Sequence, residues 1–392
     1  MITILAEKPD VGNKIAAALD RITLSNGKEI GFAALKANEK AVKAQQAKDG
    51  YLKIRFAGEE CYVTWGFGHL VQLKDARDYN PAYQNWRRMP HPFIPHPYEL
   101  KLRENGNSFD ARTKKQFALI QKLFAKSDRI INATDFDREG GVIFSYIYEL
   151  AGCTKPVQRV CFASQTKDGI TDAFAKRKDR SEVQSIEAAG RMRGIADWVV
   201  GINLTVAMTL HQRVKGEVLS IGRVQTPTLR MLVDRELAIR SFQPEPYWTL
   251  DATFRTAAGE TYSATHKEKR FQDRAKVEAI LQRIKGKPGV VTEITEKREE
   301  RTPPQLYSLS ALQMDANAKF GMTLKDTLQA AQALYDGGFT TYPRTDSRYL
   351  TEDMVPTVNR VLDSLAKDEA YAPLIDGRPR SFAKWRDFND KK

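Results

Sequence analysis

The sequence predicts a multidomain protein of α/β plus α class, and three observations carry that reading. Short apolar runs at 2–6, 130–133 and 157–162 alternate with helix-periodic stretches, the pattern of a mainly parallel sheet, so 1–162 reads as one α/β domain. From 163 to about 243 the pattern is helical. A small β-alternating module at 244–300 then precedes a second helical region at 301–392. A length of 392 residues allows two to four domains, and 42% apolar with 28% charged residues is ordinary for a globular chain.

Each element has a local reason. Residues 2–6 form a short run suited to a buried strand. Val11, Ile15, Ala18 and Leu19 then mark one face of a helix whose first turn accepts Pro9. Glu7 and Lys8 therefore fall at a strand-to-helix junction, where α/β folds gather functional groups. Residues 23–52, polar and rich in Lys and Ala, read as an inserted excursion. Strands are expected at 51–56 and 61–65 around Gly58, and an ordered Pro- and aromatic-rich loop at 79–98. A helix over 109–126 leads to the 130–133 strand, and another is expected over 141–150. Val183 with Ile186, and Trp198 with Ile202 and Val206, keep helical spacing further on. In the β module, strands are expected at 247–255, 261–266 and 290–295, with a helix capped by Asp273 and ended near Gly286. Helices follow at 308–320, 323–335 and about 351–365, with a short strand at 338–341 running into Tyr342.

Charge points to a partner. Lys and Arg number 62 against 49 Asp and Glu, a formal charge of +13 that suits a polyanion, above all nucleic acid. No run approaches the ~18–20 apolar residues of a membrane span. Glu7 interrupts the first apolar run too early for a signal peptide. The expectation is a cytoplasmic protein without membrane contact. Cys61, Cys153 and Cys161 form no metal-ligand pattern and fit buried thiols in a reducing compartment.

Two segments carry chemistry. In Ile130-Ile-Asn-Ala-Thr-Asp135-Phe-Asp137-Arg-Glu139-Gly140-Gly141, three carboxylates recur at alternate positions after an apolar strand. Alternate residues of an extended segment point the same way, so Asp135, Asp137 and Glu139 are expected to converge. Their repulsion is relieved by a hard cation, and oxygen ligands suit Mg²⁺. In Tyr342-Pro343-Arg344, proline stiffens the turn after the tyrosine, and the arginine is able to reach the same target. A phenol is a weak nucleophile until its proton is removed or its anion stabilised. A guanidinium that grips phosphate steadies developing charge.

Together these segments resemble a type IA DNA topoisomerase of the topoisomerase III branch. Leu5-Ala-Glu7-Lys8-Pro9 and Ala133-Thr-Asp135-Phe-Asp137-Arg-Glu139-Gly140 resemble the two halves of a Rossmann-like TOPRIM domain. Ser220-Ile221-Gly222-Arg223-Val224-Gln225-Thr-Pro227 resembles the family's DNA-binding segment. Ala196-Asp197-Trp198-Val-Val-Gly201-Ile-Asn203, Leu309-Ser-Ala-Leu-Gln313 and Thr341-Tyr342-Pro-Arg344-Thr-Asp346-Ser347 also match, in the family's order. The implied architecture is a TOPRIM domain at 1–162, helical DNA-binding domains, a partial β-rich arch of the family's toroid, and a helical domain carrying the tyrosine.

The resemblance implies roles residue by residue. Tyr342 attacks a DNA phosphodiester, and Glu7 acts as general acid or base. Lys8 and Arg344 neutralise the phosphate. Glu7, Asp135, Asp137 and Glu139 hold Mg²⁺. Ser220, Ile221, Gly222, Arg223, Val224, Gln225, Trp86, Arg193, Asp197, Trp198, Arg213 and Arg344 contact DNA. The implied substrate is single-stranded segments of negatively supercoiled or catenated DNA, in a nucleoid-associated location. No GxxxxGK[ST] run appears, in keeping with an ATP-independent reaction. Gly141 replaces the family's usual Glu or Gln, and Val206 an arginine. The segment from Trp385 to Lys392 resembles the lead-in to the family's His-His-Ala-Ile-Ile-Pro-Thr segment, so a truncated chain is expected, with a second polypeptide as one way to complete the ring. Competing readings are a non-catalytic single-stranded-DNA-binding fragment and a TOPRIM primase or nuclease.

Overall fold

The structure is a computed structural model that describes residues 1–105, 108–109, 111–162, 165–212, 216–299, 304–350 and 354–375. Two compact units emerge, one built from residues 1–223 with those from 304 onward, the other from 224–303.

The first unit is organised by a six-stranded sheet. Its order is Lys178–Asp179, Val157–Arg159, Arg129–Ala133, Ile2–Ala6, Glu59–Trp65 and Tyr51–Phe56. Ile2–Ala6 runs parallel to both neighbours, with Ala6 opposite Ala133 on one side and Trp65 on the other. Val157–Arg159 extends the parallel set, and the outermost strand on each edge is antiparallel. The Tyr51–Phe56 and Glu59–Trp65 strands form a hairpin whose two-residue turn, Ala57-Gly58, has φ of 51° and 80°. Positive φ at both central residues is what a twisted hairpin needs.

Helices cover both faces, which explains why the central strand is apolar almost throughout. On one face Ile2, Ile4 and Ala6 pack with Val11 and Ile15 of the helix Pro9–Leu19, and with Ile170 and Phe174 of Lys167–Ala175. The 23–52 excursion joins this core: Val42 is buried, and Gln46 of the helix Glu39–Asp49 donates to the Pro9 carbonyl at 2.9 Å. On the other face Leu5 and Ile130 meet Phe117, Ile120, Val142 and Ile147, from the helices Ala111–Lys126 and Arg138–Leu150.

The helix Arg180–Gln212 crosses Arg138–Leu150 closely at Gly190, where an added Cβ would lie 2.5 Å from the Arg138 carbonyl oxygen. It also anchors the aromatic loop at 79–98. Asn203 accepts from the Phe93 amide at 2.6 Å and donates to the Phe93 carbonyl at 2.9 Å. The later helices begin with side-chain caps, Ser308 before Leu309–Phe320 and Thr323 before Leu324–Asp336. Val355–Leu365 completes the described helices of full length.

In the second unit, the helix Gln225–Arg240 buries none of its residues. The hairpin Asp251–Arg255 with Thr261–Thr265 and the helix Arg274–Ile284, capped by Asp273, surround a small core of Leu250, Phe271 and Val277.

Three expectations are corrected. The helix expected over 141–150 begins at Arg138 instead, because Asp137 caps it. No strand forms at 338–341, which is a turn leading into Tyr342. No strand forms at 290–295 either, where Val290 and Ile294 stand 82% and 86% exposed; apolar alternation makes no strand without a pairing edge. Of the cysteines, Cys61 is buried, while Cys153 and Cys161 are half-buried. Among the described residues no helix is long and apolar enough to cross a membrane.

Candidate active site

The carboxyl ends of two adjacent parallel strands, Ile2–Ala6 and Arg129–Ala133, place Glu7 and Asp135 side by side, the position where open α/β sheets bind ligands. Both are buried, at 9% and 5% exposure. Glu7 Oε2 accepts from the Asp135 amide at 3.2 Å. Lys8 Nζ bridges the pair, 3.6 Å from Glu7 Oε1 and 3.7 Å from Asp135 Oδ2. Burial, and then the charge of Asp135, push the Glu7 carboxyl up to about 7. Burial likewise raises Asp135, with Lys8 and Arg344 opposing and Asp137 reinforcing.

The Asp135 loop is held from beneath by an arginine that sequence reasoning missed. Arg159, 3% exposed, donates to Thr134 Oγ1 at 2.8 Å and to the Asp135 carbonyl at 2.5 Å. The signal was available: a charged residue inside the apolar run at 157–162 needs buried partners. Gly140 is required by the same turn, since a Cβ there would lie 2.1 Å from the Asp135 carbonyl oxygen.

The predicted convergence of three alternate carboxylates does not occur as drawn. Asp137, still extended in its backbone, caps the helix that starts at Arg138, with Oδ1 accepting from the Gly140 amide at 2.6 Å. Glu139 lies in the first helical turn and pairs instead with His69 Nε2 at 2.9 Å. Among the described residues no three His, Cys, Asp or Glu side chains converge closely enough to grip a metal ion together. The donors nonetheless suit a hard cation. Asp135 Oδ1 is buried without a hydrogen-bond partner, its neighbour Glu7 is another carboxylate, and Mg²⁺ is commonly held by one or two carboxylates plus water and phosphate oxygens.

Tyr342 arrives from the far end of the first unit. Its hydroxyl donates to Asp137 Oδ2 at 2.9 Å, and its ring meets Tyr335 edge to face at 5.3 Å. Burial raises its pKa above the ordinary phenol value, the charges of Asp135 and Asp137 raise it further, and Arg344 opposes. Tyr342, Arg344, Phe136 and Arg348 line one cavity of about 650 Å³.

The residues expected to contact DNA divide. Arg193, Asp197 and Trp198 line a crevice of about 550 Å³ together with His69, Arg103 and Glu139. Asp197 is bonded to Arg223 at 2.5 Å and lies 3.8 Å from Arg193. Trp198 packs its ring on Phe93 and Tyr98, and Trp86 is half-buried against the same aromatic cluster. Residues 220–223 run along the long helix, where the Ile221 amide donates to Thr205 Oγ1 at 2.9 Å. Ser220 and Gly222 belong to this stretch. Val224, 60% exposed, and Gln225 open the second unit, and Arg213 lies outside the described residues.

Acidic groups at the ends of adjacent parallel strands, covered by helices on both faces, define a Toprim-type α/β domain, and residues 3–164 match the Toprim domain family. Residues 181–392 match the family described as DNA topoisomerase; the chain belongs to the DNA topoisomerases, of type IA. It is 34% identical to DNA topoisomerase 3 of Bacillus subtilis (strain 168), over 92% of this chain and 45% of that protein. It is 35% identical to DNA topoisomerase 3 of Shouchella clausii (strain KSM-K16), with the same coverage. Identity to DNA topoisomerase 3 of Staphylococcus epidermidis is 33%, over 99% of this chain and 50% of that one. The chain thus spans about half the length of the curated relatives it matches. Full-length topoisomerase I from Thermotoga maritima, in a monoclinic crystal form, shares the fold with a TM-score of 0.61 at 22% identity, covering 93% of this chain and 52% of that one.

Proposed function

We infer that this chain breaks and rejoins one strand of DNA through a covalent bond to Tyr342. The observation that carries the reading is the Tyr342 hydroxyl, hydrogen-bonded to Asp137 beside the buried Glu7–Lys8–Asp135 group.

In the proposed step the phenol oxygen attacks phosphorus and the bond from phosphorus to the 3′-oxygen breaks. The phenol proton passes to Asp137, and the departing 3′-oxygen takes a proton from Glu7. The products are a 5′-phosphotyrosyl link and a free 3′-hydroxyl. Glu7, raised to about 7, holds its proton on a substantial fraction of molecules at neutral pH, as a general acid must. Lys8 and Arg344 supply positive charge at the phosphate as it becomes pentacovalent. Religation reverses the step, and the bond energy kept in the link removes any need for ATP.

Asp135 would hold Mg²⁺, joined by Asp137 before it takes up the phenol proton and by Glu7 in its ionised form; Glu139, paired with His69, would join through an intervening water. Bound there, the ion would offset the carboxylate charge that now keeps Tyr342 protonated, and would position the DNA phosphate. Single-stranded DNA would follow the crevice bordered by Arg193 and Trp198 to Arg223, with phosphate contacts from arginine and base stacking from any exposed indole face. Ser220, Ile221, Gly222, Val224 and Gln225 would carry the strand along the 220–225 segment, with Trp86 a further contact; Arg213, the remaining expected contact, lies outside the described residues. Passage of a second strand through the break would relax negative supercoils and unlink catenated DNA, in association with the nucleoid.

The test is incubation of the chain with end-labelled single-stranded oligonucleotide and Mg²⁺, followed by detergent. A denaturation-resistant adduct, lost in Tyr342→Phe, supports the reading. Tight oligonucleotide binding with no adduct leaves a single-stranded-DNA-binding protein instead. Free cleavage products that persist in Tyr342→Phe leave a nuclease.

A further inference from the structure

The Tyr342 segment depends on more than its contact with Asp137. The helix Leu324–Asp336 ends at the turn 337–341, which borders a cavity of about 460 Å³ shared with Phe32, Leu35 and Val42. Phe339 is 78% exposed, so close packing does not hold this turn. A polar tie does. Lys14, on the first helix of the sheet domain, donates to the backbone carbonyl of Asp336 and to Gln165 Oε1, the latter at 2.6 Å. The last carbonyls of a helix lack internal partners, and an ammonium placed there also complements the helix dipole.

Gln165 carries the tie onward. It is 2% exposed and lies near the Tyr335 hydroxyl, whose pKa burial raises and Gln165 lowers. The Tyr335 ring, 1% exposed, is the edge against which the Tyr342 ring rests. Lys14, Gln165, Tyr335 and Tyr342 are thus successive neighbours, and Lys14 also holds the end of the helix that carries Tyr335. We propose that Lys14 and Gln165 are positioning residues that hold the Tyr342 segment on the sheet domain and fix where the phenol points. The inference rests on the reading of Tyr342 as nucleophile only for its functional consequence; the structural tie is testable alone.

The experiment compares Lys14→Met, Lys14→Arg, Gln165→Leu and Tyr342→Phe in the full chain. Lys14→Met keeps the length of the side chain and removes its donors. Amide hydrogen exchange over 337–345 should accelerate about tenfold or more in Lys14→Met and Gln165→Leu, while exchange over 2–6 stays unchanged. Lys14→Arg should restore protection. Oligonucleotide affinity should not change, whereas the rate of adduct formation should fall on the order of 10- to 100-fold in Lys14→Met. Unchanged exchange over 337–345 would overturn the inference, as would loss of protection throughout the sheet, which marks a merely structural lysine. An adduct that persists in Tyr342→Phe would sink the nucleophile reading while leaving the exchange result to decide the tie.

Discussion

The hydroxyl of Tyr342 lies 2.9 Å from Asp137 Oδ2, a contact across 205 residues of chain. Asp137 also caps the helix Arg138–Leu150 through its other oxygen. One carboxylate therefore fixes the start of a helix and faces the phenol. Asp137→Asn separates the two duties, because asparagine caps as well as aspartate. Stability should stay within about 0.5 kcal/mol of the parent. The phenol, relieved of one negative neighbour and of a charged acceptor, should titrate at lower pH than in the parent, and adduct formation should slow by about 10²-fold or more. Ultraviolet difference titration and single-turnover cleavage check the two halves.

The buried Glu7 makes a stability prediction with a definite sign. Its carboxyl rises from an ordinary 4.5 to about 7 in the fold, so the folded chain binds more protons than the unfolded chain between those values. This group's contribution is therefore full below about 4.5 and is lost as pH rises through about 7. With chelator present, Glu7→Gln should match the parent at pH near 4 and exceed it at pH near 8 by roughly 1–3 kcal/mol. Denaturant melts at the two pH values measure this. Equal stability at both would show that Glu7 is not held in its neutral form.

Asp135 offers an unpartnered buried oxygen, and a cation is the natural partner. Millimolar Mg²⁺ should raise the melting temperature of the parent, and the increment should vanish in Asp135→Asn. Calorimetric titration with MgCl₂ in the absence of DNA gives an independent reading. An identical increment in the variant would place the ion elsewhere.

Two adjacent glycines should behave differently. A Cβ at Gly140 would lie 2.1 Å from the Asp135 carbonyl oxygen, whereas one at Gly141 would meet Glu187 Cγ at 3.4 Å, an ordinary contact. Gly140→Ala should cost at least roughly 1–3 kcal/mol and weaken Mg²⁺ binding. Gly141→Ala should cost less than about 1 kcal/mol, with a helix-propensity gain offsetting mild crowding. Denaturation midpoints distinguish the pair.

What was legible in the sequence was the part governed by short-range rules. Apolar runs located Ile2–Ala6 and Arg129–Ala133, capping chemistry located the helix after Asp273, and the helices expected at 308–320 and 323–335 form as Leu309–Phe320 and Leu324–Asp336. The parallel register then brought Glu7 to Asp135. Glu139 was misdrawn because a local contest, extended strand against helix cap, went to the cap. The 290–295 run failed because strand formation depends on a partner that no local pattern supplies. Arg159, Lys14 and Gln165 were missed for a related reason: their partners are 24 to 322 residues away, and only the fold reveals them. The stretch at 23–52 read as an excursion, yet Val42 and Gln46 tie it to the core.

Mapping the covalent attachment tests the central claim most directly. The oligonucleotide adduct is trimmed with nuclease, digested with trypsin and sequenced by mass spectrometry. A nucleotide joined by its 5′-phosphate to Tyr342 is the predicted result. A nucleotide on any other residue, or a 3′-phosphate linkage, would contradict it.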